Sequence, residues 1–337
     1  MTGLWSLRSG SLHAGFWAGE RVLVERELAR LETSVMRTHF TGGYIMELQL
    51  QNLALSFKNK PNVIHDISLT MNGGSIVGIV APNGTGKTTL LRLILNDLKP
   101  QAGKVLVDGK SYGSQKQSLA LHRQMCLFPV QDDLYPDLSG KAHLEYYAKL
   151  WHNRSKSVKQ IINVLDMRDY INQPVRTYSM GMKQRLCFGM VMAANTPIML
   201  LDEFMNGLDT INVARMSRIL RGLRAEGKLI ITVSHLLNNL QGYADLIYFM
   251  RDGKIIKTID QHEQQPLYVQ VAEENASRLP RMPWEHYPNG MLVLPIQKLP
   301  GEHFNQLLLG LAAHHIPFKL GPLDLDTYFN EFYETDQ

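Results

Sequence analysis

The sequence predicts an α/β protein with a small α+β appendage at its C-terminal end, and three observations carry that reading. Aliphatic runs of strand length, closed by polar or glycine-bearing turns, are interspersed with amphipathic helical stretches. One such run, Ser75 to Val80, passes into a glycine-bearing loop and then into a second apolar stretch at helical spacing. After about Ile259 the composition shifts, with Pro266, Pro280, Pro283 and Pro288 marking a loop-rich join. The 337 residues suffice for one large or two modest domains. With 45% hydrophobic and 20% charged residues the composition is that of an ordinary globular protein. A net charge of +4 tolerates an anionic ligand or lipid and does not call for nucleic acid. The two cysteines, Cys126 and Cys187, are far apart and lack metal-ligand spacing, so reduced cytosolic thiols are the default. No apolar stretch reaches the roughly 18 residues of a membrane helix. Any role at a membrane is therefore expected to rely on another chain that spans it.

Taken in order, residues 1–45 read unlike the rest. Four glycines break up their start, and Glu20 to Met36 follows as a short charged helical stretch without the apolar core of a signal peptide. Met46 is expected to be the natural start and residues 1–45 an upstream extension; a regulatory or partner-binding helix is the rival reading. From Glu47 the pattern is β-rich. A strand through Leu48, Leu50, Leu53 and Leu55 to Phe57 turns at Asn59–Asn62 into a second strand through Ile64, Ile67 and Leu69, closed at Asn72-Gly73-Gly74. A helix from Lys87 stops before Pro100, a hairpin spans Gly103–Gly109, and a strand at Met125–Phe128 ends at Pro129-Val130-Gln131. Residues from about Ser139 to Asn195 turn helical. Strands then follow at Ile198–Leu201, Leu229–Val233 and Leu246–Met250, with a helix from Asn212 to Glu226 between the first two. In the appendage Met291–Ile296 reads as a strand, and His303–His314 and Asp326–Tyr333 as helices.

Strand, glycine loop and helix in succession, with Lys87-Thr88-Thr89 at the helix start, is the setting a phosphate-binding loop requires. Gly84 and Gly86 let the backbone curl so that successive N–H groups face phosphate oxygens. The helix adds its positive N-terminal end. The Lys87 ammonium is placed to neutralise β and γ phosphates, and the Thr88 hydroxyl to bind Mg²⁺. The loop residues Asn83, Gly84, Thr85, Gly86, Lys87, Thr88 and Thr89 are the expected nucleotide contacts. The G-x-x-x-x-G-K-[ST] pattern asks for Gly first, and Ala81 stands there. A methyl is tolerable if the backbone keeps φ negative.

A strand of aliphatics closed by Asp202-Glu203, downstream of such a loop, has a chemical purpose. Asp202 can hold Mg²⁺ through water, and Glu203 can align and polarise a water for attack on the γ phosphate. Tyr178-Ser179-Met180-Gly181-Met182-Lys183-Gln184-Arg185 places a serine and a glycine at a helix start, ready to donate to phosphate. For Ser179 alone, a simple helix cap is the better reading.

With loop, acidic pair and this octapeptide together, residues 47–258 resemble the ATP-binding-cassette (ABC) ATPases, most closely bacterial export-type subunits. The resemblance implies a phosphate-loop NTPase fold: a RecA-like core, an antiparallel β subdomain and an inserted α-helical signature subdomain at about 135–195. It also implies that Ser179 and Gly181 reach the γ phosphate bound by an opposite subunit, and that Phe57 stacks on adenine. Asp209, in Gly207-Leu208-Asp209, would lie in the loop crossing the dimer interface, and His235 would be the switch histidine contacting the γ phosphate. Three departures stand out. Ala81 replaces the first glycine, and Val130 occupies the glutamine-loop position with Gln131 next, so that Gln131 reaches Mg²⁺ only by a one-residue shift. Phe204-Met205 replaces the usual Pro-Thr.

The organisation expected is an extension over 1–45, an ATPase domain over 46–258 and an appendage over 259–337. The function expected is an ATP- and Mg²⁺-dependent ATPase subunit, catalysing through Glu203, His235 and Lys87, with Thr88, Asp202 and Gln131 at the metal. Its expected partners are a membrane-spanning permease, which it energises for export, and a second cassette in a homodimer or heterodimer. It would lie on the cytoplasmic face of the membrane, peripheral through its permease, with no nucleic acid involved. A soluble non-transport ABC ATPase, or a degenerate cassette with a regulatory role, are the alternatives.

Overall fold

In a computed structural model the described residues are 46–151, 157–235, 237–299 and 301–334. Residues 1–45, expected to be an upstream extension or a regulatory helix, lie outside them. Among the described residues the strands form three sheets.

The first is antiparallel, in the order β2-β1-β4-β5, from β1 (Glu47–Phe57), β2 (Lys60–Asn72), β4 (Ala102–Val107) and β5 (Lys110–Ser111). Sequence reasoning put the first turn at Asn59–Asn62; the chain turns earlier, at Lys58-Asn59, and the strand resumes at Lys60. Pro61 is tolerated there because β2 is an edge strand, which needs no donor on its outer side.

The second sheet has the order β10-β9-β3-β8-β7-β6, from β3 (Ser75–Val80), β6 (Met125–Leu127), β7 (Ile198–Asp202), β8 (Leu229–Val233), β9 (Leu246–Arg251) and β10 (Lys254–Asp260). All neighbours are parallel except β9 and β10. Its inner parallel strands β3, β7 and β8 are largely aliphatic because both faces are covered, whereas the antiparallel edge strand β10 is mostly exposed. Alternate residues enter different cores: Ile76, Val80, Met199, Leu201 and Ile230 face one cluster, and Val77, Ile79, Ile198, Leu200, Leu229 and Ile231 the other. The period of two along a strand makes this division.

The first cluster takes in the helices α3 (Gly140–Leu150), α4 (Val158–Val164), α5 (Met180–Ala194), α6 (Thr210–Ala225) and α7 (Leu237–Gln241). The second takes in the antiparallel sheet and α1 (Lys87–Ile94). A further helix, α2 (Gln115–His122), escapes periodicity because only Leu121 on it is buried; the Ser114–Gln117 capping box sets its start.

The third sheet, order β12-β13-β11-β14, joins β11 (Tyr268–Ala272), β12 (Glu285–Tyr287), β13 (Met291–Pro295) and β14 (Phe318–Gly321). It packs with α8 (Gly301–Ala313) around Val269, Val271, Leu294, Leu307, Leu311 and Ile316. The helix α9 (Leu325–Tyr333) instead packs with the first cluster. No helix among the described residues is long and apolar enough to cross a membrane.

Because β3, β8, β7 and β6 are adjacent and parallel, their carboxyl ends share one edge. The residues that follow them, the loop before Lys87, His235, Glu203 and Gln131, come from distant parts of the sequence. Open parallel sheets bind ligands at this edge.

Candidate active site

At that edge lies a cleft of about 930 Å³ lined by Asn83, Gly84, Gly86, Lys87, Thr88 and Thr89, by Asp202 and Glu203, by Gln131, and by Phe57 at its rim. The loop that leaves β3 is shaped by two glycines in the left-handed region, Gly84 (φ 77°) and Gly86 (φ 109°). A side chain at Gly86 would meet the Val63 carbonyl at 2.8 Å, so both conformation and space demand glycine. Ala81 lies fully buried outside the left-handed region, which explains how a methyl replaces the first glycine without strain. Thr85 turns inward, donating to the Pro82 carbonyl at 2.7 Å, and does not line the cleft.

Lys87 is buried, and its ammonium donates to the carbonyls of Ala81 (2.7 Å) and Pro82 (2.9 Å). Burial lowers its pKa below the ordinary lysine range, against the opposing pull of Glu203 and Asp202. Burial raises that of Asp202; the Thr88 hydrogen bond and Lys87 act against this, and Glu203 adds to it. The Thr88 hydroxyl donates to Asp202 Oδ2 at 2.6 Å. A hydroxyl and a carboxylate in contact beside a lysine and a glycine cradle form an oxygen donor set suited to Mg²⁺ on a phosphate.

Glu203 adopts a left-handed backbone (φ 45°), unusual for a residue with a side chain. Its N–H donates to the Val233 carbonyl at 3.0 Å. Its own carbonyl accepts from the Asn206 N–H and from Gln184 Nε2, each at 3.1 Å. Its carboxylate accepts from Asn206 Nδ2 at 2.5 Å and lies 3.3 Å from His235 Nδ1. Gln184 in turn accepts from Gln131 Nε2. That pairing uses the Gln131 amide nitrogen and leaves its carbonyl oxygen as the atom offered to a ligand. Val130 also lines the cleft, 62% exposed, but its apolar side chain has no donor atom for a metal.

Sequence reasoning missed Gln184 and Asn206. Gln184 is buried in a helix whose other buried residues are all apolar or glycine, but Lys183 and Arg185 flank it and hide that burial in the sequence. Asn206 carries no signal beyond standing three residues after Glu203. Phe204, which the sequence left without an account, packs between Phe128 (ring centroids 6.4 Å apart, edge-on) and Phe188 (5.5 Å). It ties the strand before Gln131 to α5.

Ser179, Gly181 and Asp209 do not line the cleft. Ser179 caps α5, accepting from the Met182 N–H, and Asp209 caps α6, accepting from the Asn212 N–H. Within one chain, therefore, Ser179 and Asp209 act as helix caps.

Parallel-sheet edge, glycine cradle, buried lysine, Thr–Asp pair and adjacent glutamate define a phosphate-loop NTPase. Comparison with known proteins narrows this. The profile of the family described as ABC transporter matches residues 64–206. The ABC transporter ATP-binding protein NatA of Bacillus subtilis (strain 168) is 30% identical over 217 residues, 62% of this chain and 87% of that protein. The SkfA peptide export ATP-binding protein SkfE of the same organism is 30% identical over 233 residues, 68% of this chain and 92% of that protein. The dimeric, ADP- and Pi-bound structure of the ATP-binding cassette MJ0796 superposes with a TM-score of 0.59 at 21% identity. It covers 64% of this chain and all of that one, a likeness of fold. The chain belongs to the ABC family: it is an ATP-binding cassette ATPase of the ABC transporter type.

Proposed function

We propose that this chain energises a separate membrane-spanning permease, for export, as one of two cassettes that sandwich two ATP molecules. The observation that carries the hydrolytic part is the convergence of Lys87, the Thr88–Asp202 pair and Glu203 on one cleft, with His235 outside its lining but 3.3 Å from the Glu203 carboxylate. Asn83–Thr89 would cradle the phosphates, Phe57 the adenine, and Thr88, Asp202 and Gln131 would hold Mg²⁺. Bound there, the ion supplies Lewis-acid neutralisation of charge on the phosphates. Glu203 accepts the proton of the attacking water and aligns it on the γ phosphorus, while Lys87 offsets charge on the phosphoryl oxygens. His235, beside the Glu203 carboxylate, orients it and reaches toward the γ phosphate. Ser179 and Gly181, outside their own chain's cleft, are free to complete the partner's, with Asp209 at the interface. We place the unit that does this at residues 46–260, two residues beyond the expected boundary because β10 pairs with β9 through Asp260, with 1–45 an upstream extension and the remainder an appendage whose helix α9 packs back on the first cluster.

Export is supported by the relative named for peptide export. The permease face is supported by exposed Val130, Tyr135, Leu138, Tyr146 and Leu150 beside a groove of about 300 Å³. Such an apolar patch suits a partner helix. The protein would then sit on the cytoplasmic face through its permease. Affinity purification from detergent-solubilised membranes tests this: a multi-spanning membrane protein should co-purify, and be lost on Tyr146→Asp. Recovery with ribosomes or DNA instead points to a soluble non-transport ATPase. Recovery only with a second, different cassette and no activity alone points to a regulatory subunit.

A further inference from the structure

The phosphate loop is held from an unexpected direction. Tyr333, the last residue of α9, places its hydroxyl 2.9 Å from the Met250 carbonyl and 3.2 Å from the Val80 carbonyl. Val80 ends β3 and is the residue before Ala81, whose carbonyl accepts from Lys87 Nζ. A residue 253 positions away in sequence thus touches the peptide adjoining the one that holds the phosphate-binding lysine.

The helix carrying Tyr333 is docked firmly. Phe332 packs edge-on against Phe249 (5.4 Å between centroids), Tyr328 lies at 6.2 Å from the same ring, and Phe329 packs on Tyr333 at 4.6 Å. Arg251 Nη1 donates to the Phe332 carbonyl at 2.8 Å, a cation on the C-terminal end of a helix dipole. Asp324 caps the other end. Aromatic packing fixes where the helix lies, and the hydroxyl's one proton is shared between carbonyls at the carboxyl ends of two parallel neighbours, the shorter branch to Met250 of β9 and the longer to Val80 of β3, where they part and the loop begins. Burial also raises the Tyr333 pKa, which keeps the hydroxyl protonated as a donor.

We infer that α9 is a clamp on the phosphate loop, in which Tyr333 is a positioning residue that sets nucleotide affinity by fixing the take-off of the loop at Val80. The inference rests on Lys87 being the phosphate-binding lysine. It gives the C-terminal segment a part in the ATP cycle: contacts that shift α9 along β9 change how the loop is presented. Tyr333 does not touch the nucleotide; it acts through the Val80 peptide.

The test is Tyr333→Phe in the full chain, which removes one oxygen and keeps the ring packing. ATP binding with Mg²⁺ is measured by calorimetry, with turnover, thermal unfolding without nucleotide, and amide exchange over residues 80–88. The clamp predicts an ATP Kd raised roughly three- to tenfold, the scale of one net hydrogen bond. KM should rise in parallel, kcat at saturating ATP should change less than KM, and exchange at the loop should quicken. An unchanged Kd overturns it, whether or not the unfolding midpoint falls, since a purely structural tyrosine would lower the midpoint alone. Lys87→Ala in the same assay separates the two readings. If Lys87→Ala abolishes binding and Tyr333→Phe does nothing, the clamp alone fails; if Lys87→Ala binds ATP normally, the reading of the loop fails.

Discussion

Gln184 offers the sharpest probe of how Glu203, the proposed catalytic carboxylate, is held. Replacing it with Met keeps length and approximate volume and removes both hydrogen bonds. The Glu203 carbonyl then loses one of its two donors, and the Gln131 amide loses its acceptor. Glu203 holds a left-handed backbone that costs about 1–2 kcal/mol for a residue with a side chain. Its surrounding hydrogen bonds must sustain that geometry. One such bond is worth about 0.5–1.5 kcal/mol net, and a buried group left unpaired costs about 1–3 kcal/mol. If about 1.4 kcal/mol of this falls on the placement of Glu203 in the transition state, kcat drops about tenfold. The loop and Lys87 are untouched, so ATP affinity without Mg²⁺ should stay within about twofold, while the Mg²⁺-dependent part of the affinity shifts with Gln131. Steady-state ATPase assays, with nucleotide binding measured separately, resolve the split. Gln131→Ala combined with Gln184→Met should be less than additive, because the two share one chain of bonds. A Gln184→Met enzyme with wild-type kcat, or one whose ATP affinity and unfolding midpoint collapse together, would refute the reasoning.

Phe204→Ala should destabilise the chain by about 3–5 kcal/mol in denaturant unfolding, since it opens a cavity between Phe128 and Phe188; a loss under about 1 kcal/mol would mean the site collapses freely. Lys87 makes a pH prediction. Its folded-state pKa lies below the ordinary 10.5, so the folded apo protein binds fewer protons than the unfolded chain between the two values, and apo stability rises with pH across that window. ATP favours the charged form, so affinity falls as pH climbs through the lowered pKa. Lys87→Arg, which stays charged, should lack that fall; parallel profiles for the two proteins would show that Lys87 is not the titrating group.

Much of the parallel sheet was legible because both its faces are buried. Aliphatic runs such as Ile198–Leu201 have no other use, and their polar terminators sit where the chemistry is. Lys87, Thr88, Asp202 and Glu203 were legible for that reason, and the structure brings all four to one cleft. The helix Gln115–His122 was not, because it buries only Leu121 and so leaves no periodic trace. The strand Tyr268–Ala272 is a run of only five residues in a proline-marked join, interrupted by Gln270, and its place was set by pairing with β13 and β14. The supports of Glu203 were not legible either. Gln184, Asn206 and Phe204 act through contacts across 19, 3 and 16 residues, and only Asn206 is near in sequence. Tyr333 was invisible because nothing local says which carbonyl a tyrosine will reach.

The proposed role of Glu203 is that of the base in an ATPase whose cradle binds ATP independently of it. Single-turnover hydrolysis by Glu203→Gln, with ATP retention and dimerisation followed by size-exclusion chromatography, tests it most directly. If Glu203 is the base, the variant binds ATP with wild-type affinity, forms a stable ATP-bound dimer, and hydrolyses about 100-fold or more slowly. Turnover at the wild-type rate would contradict it.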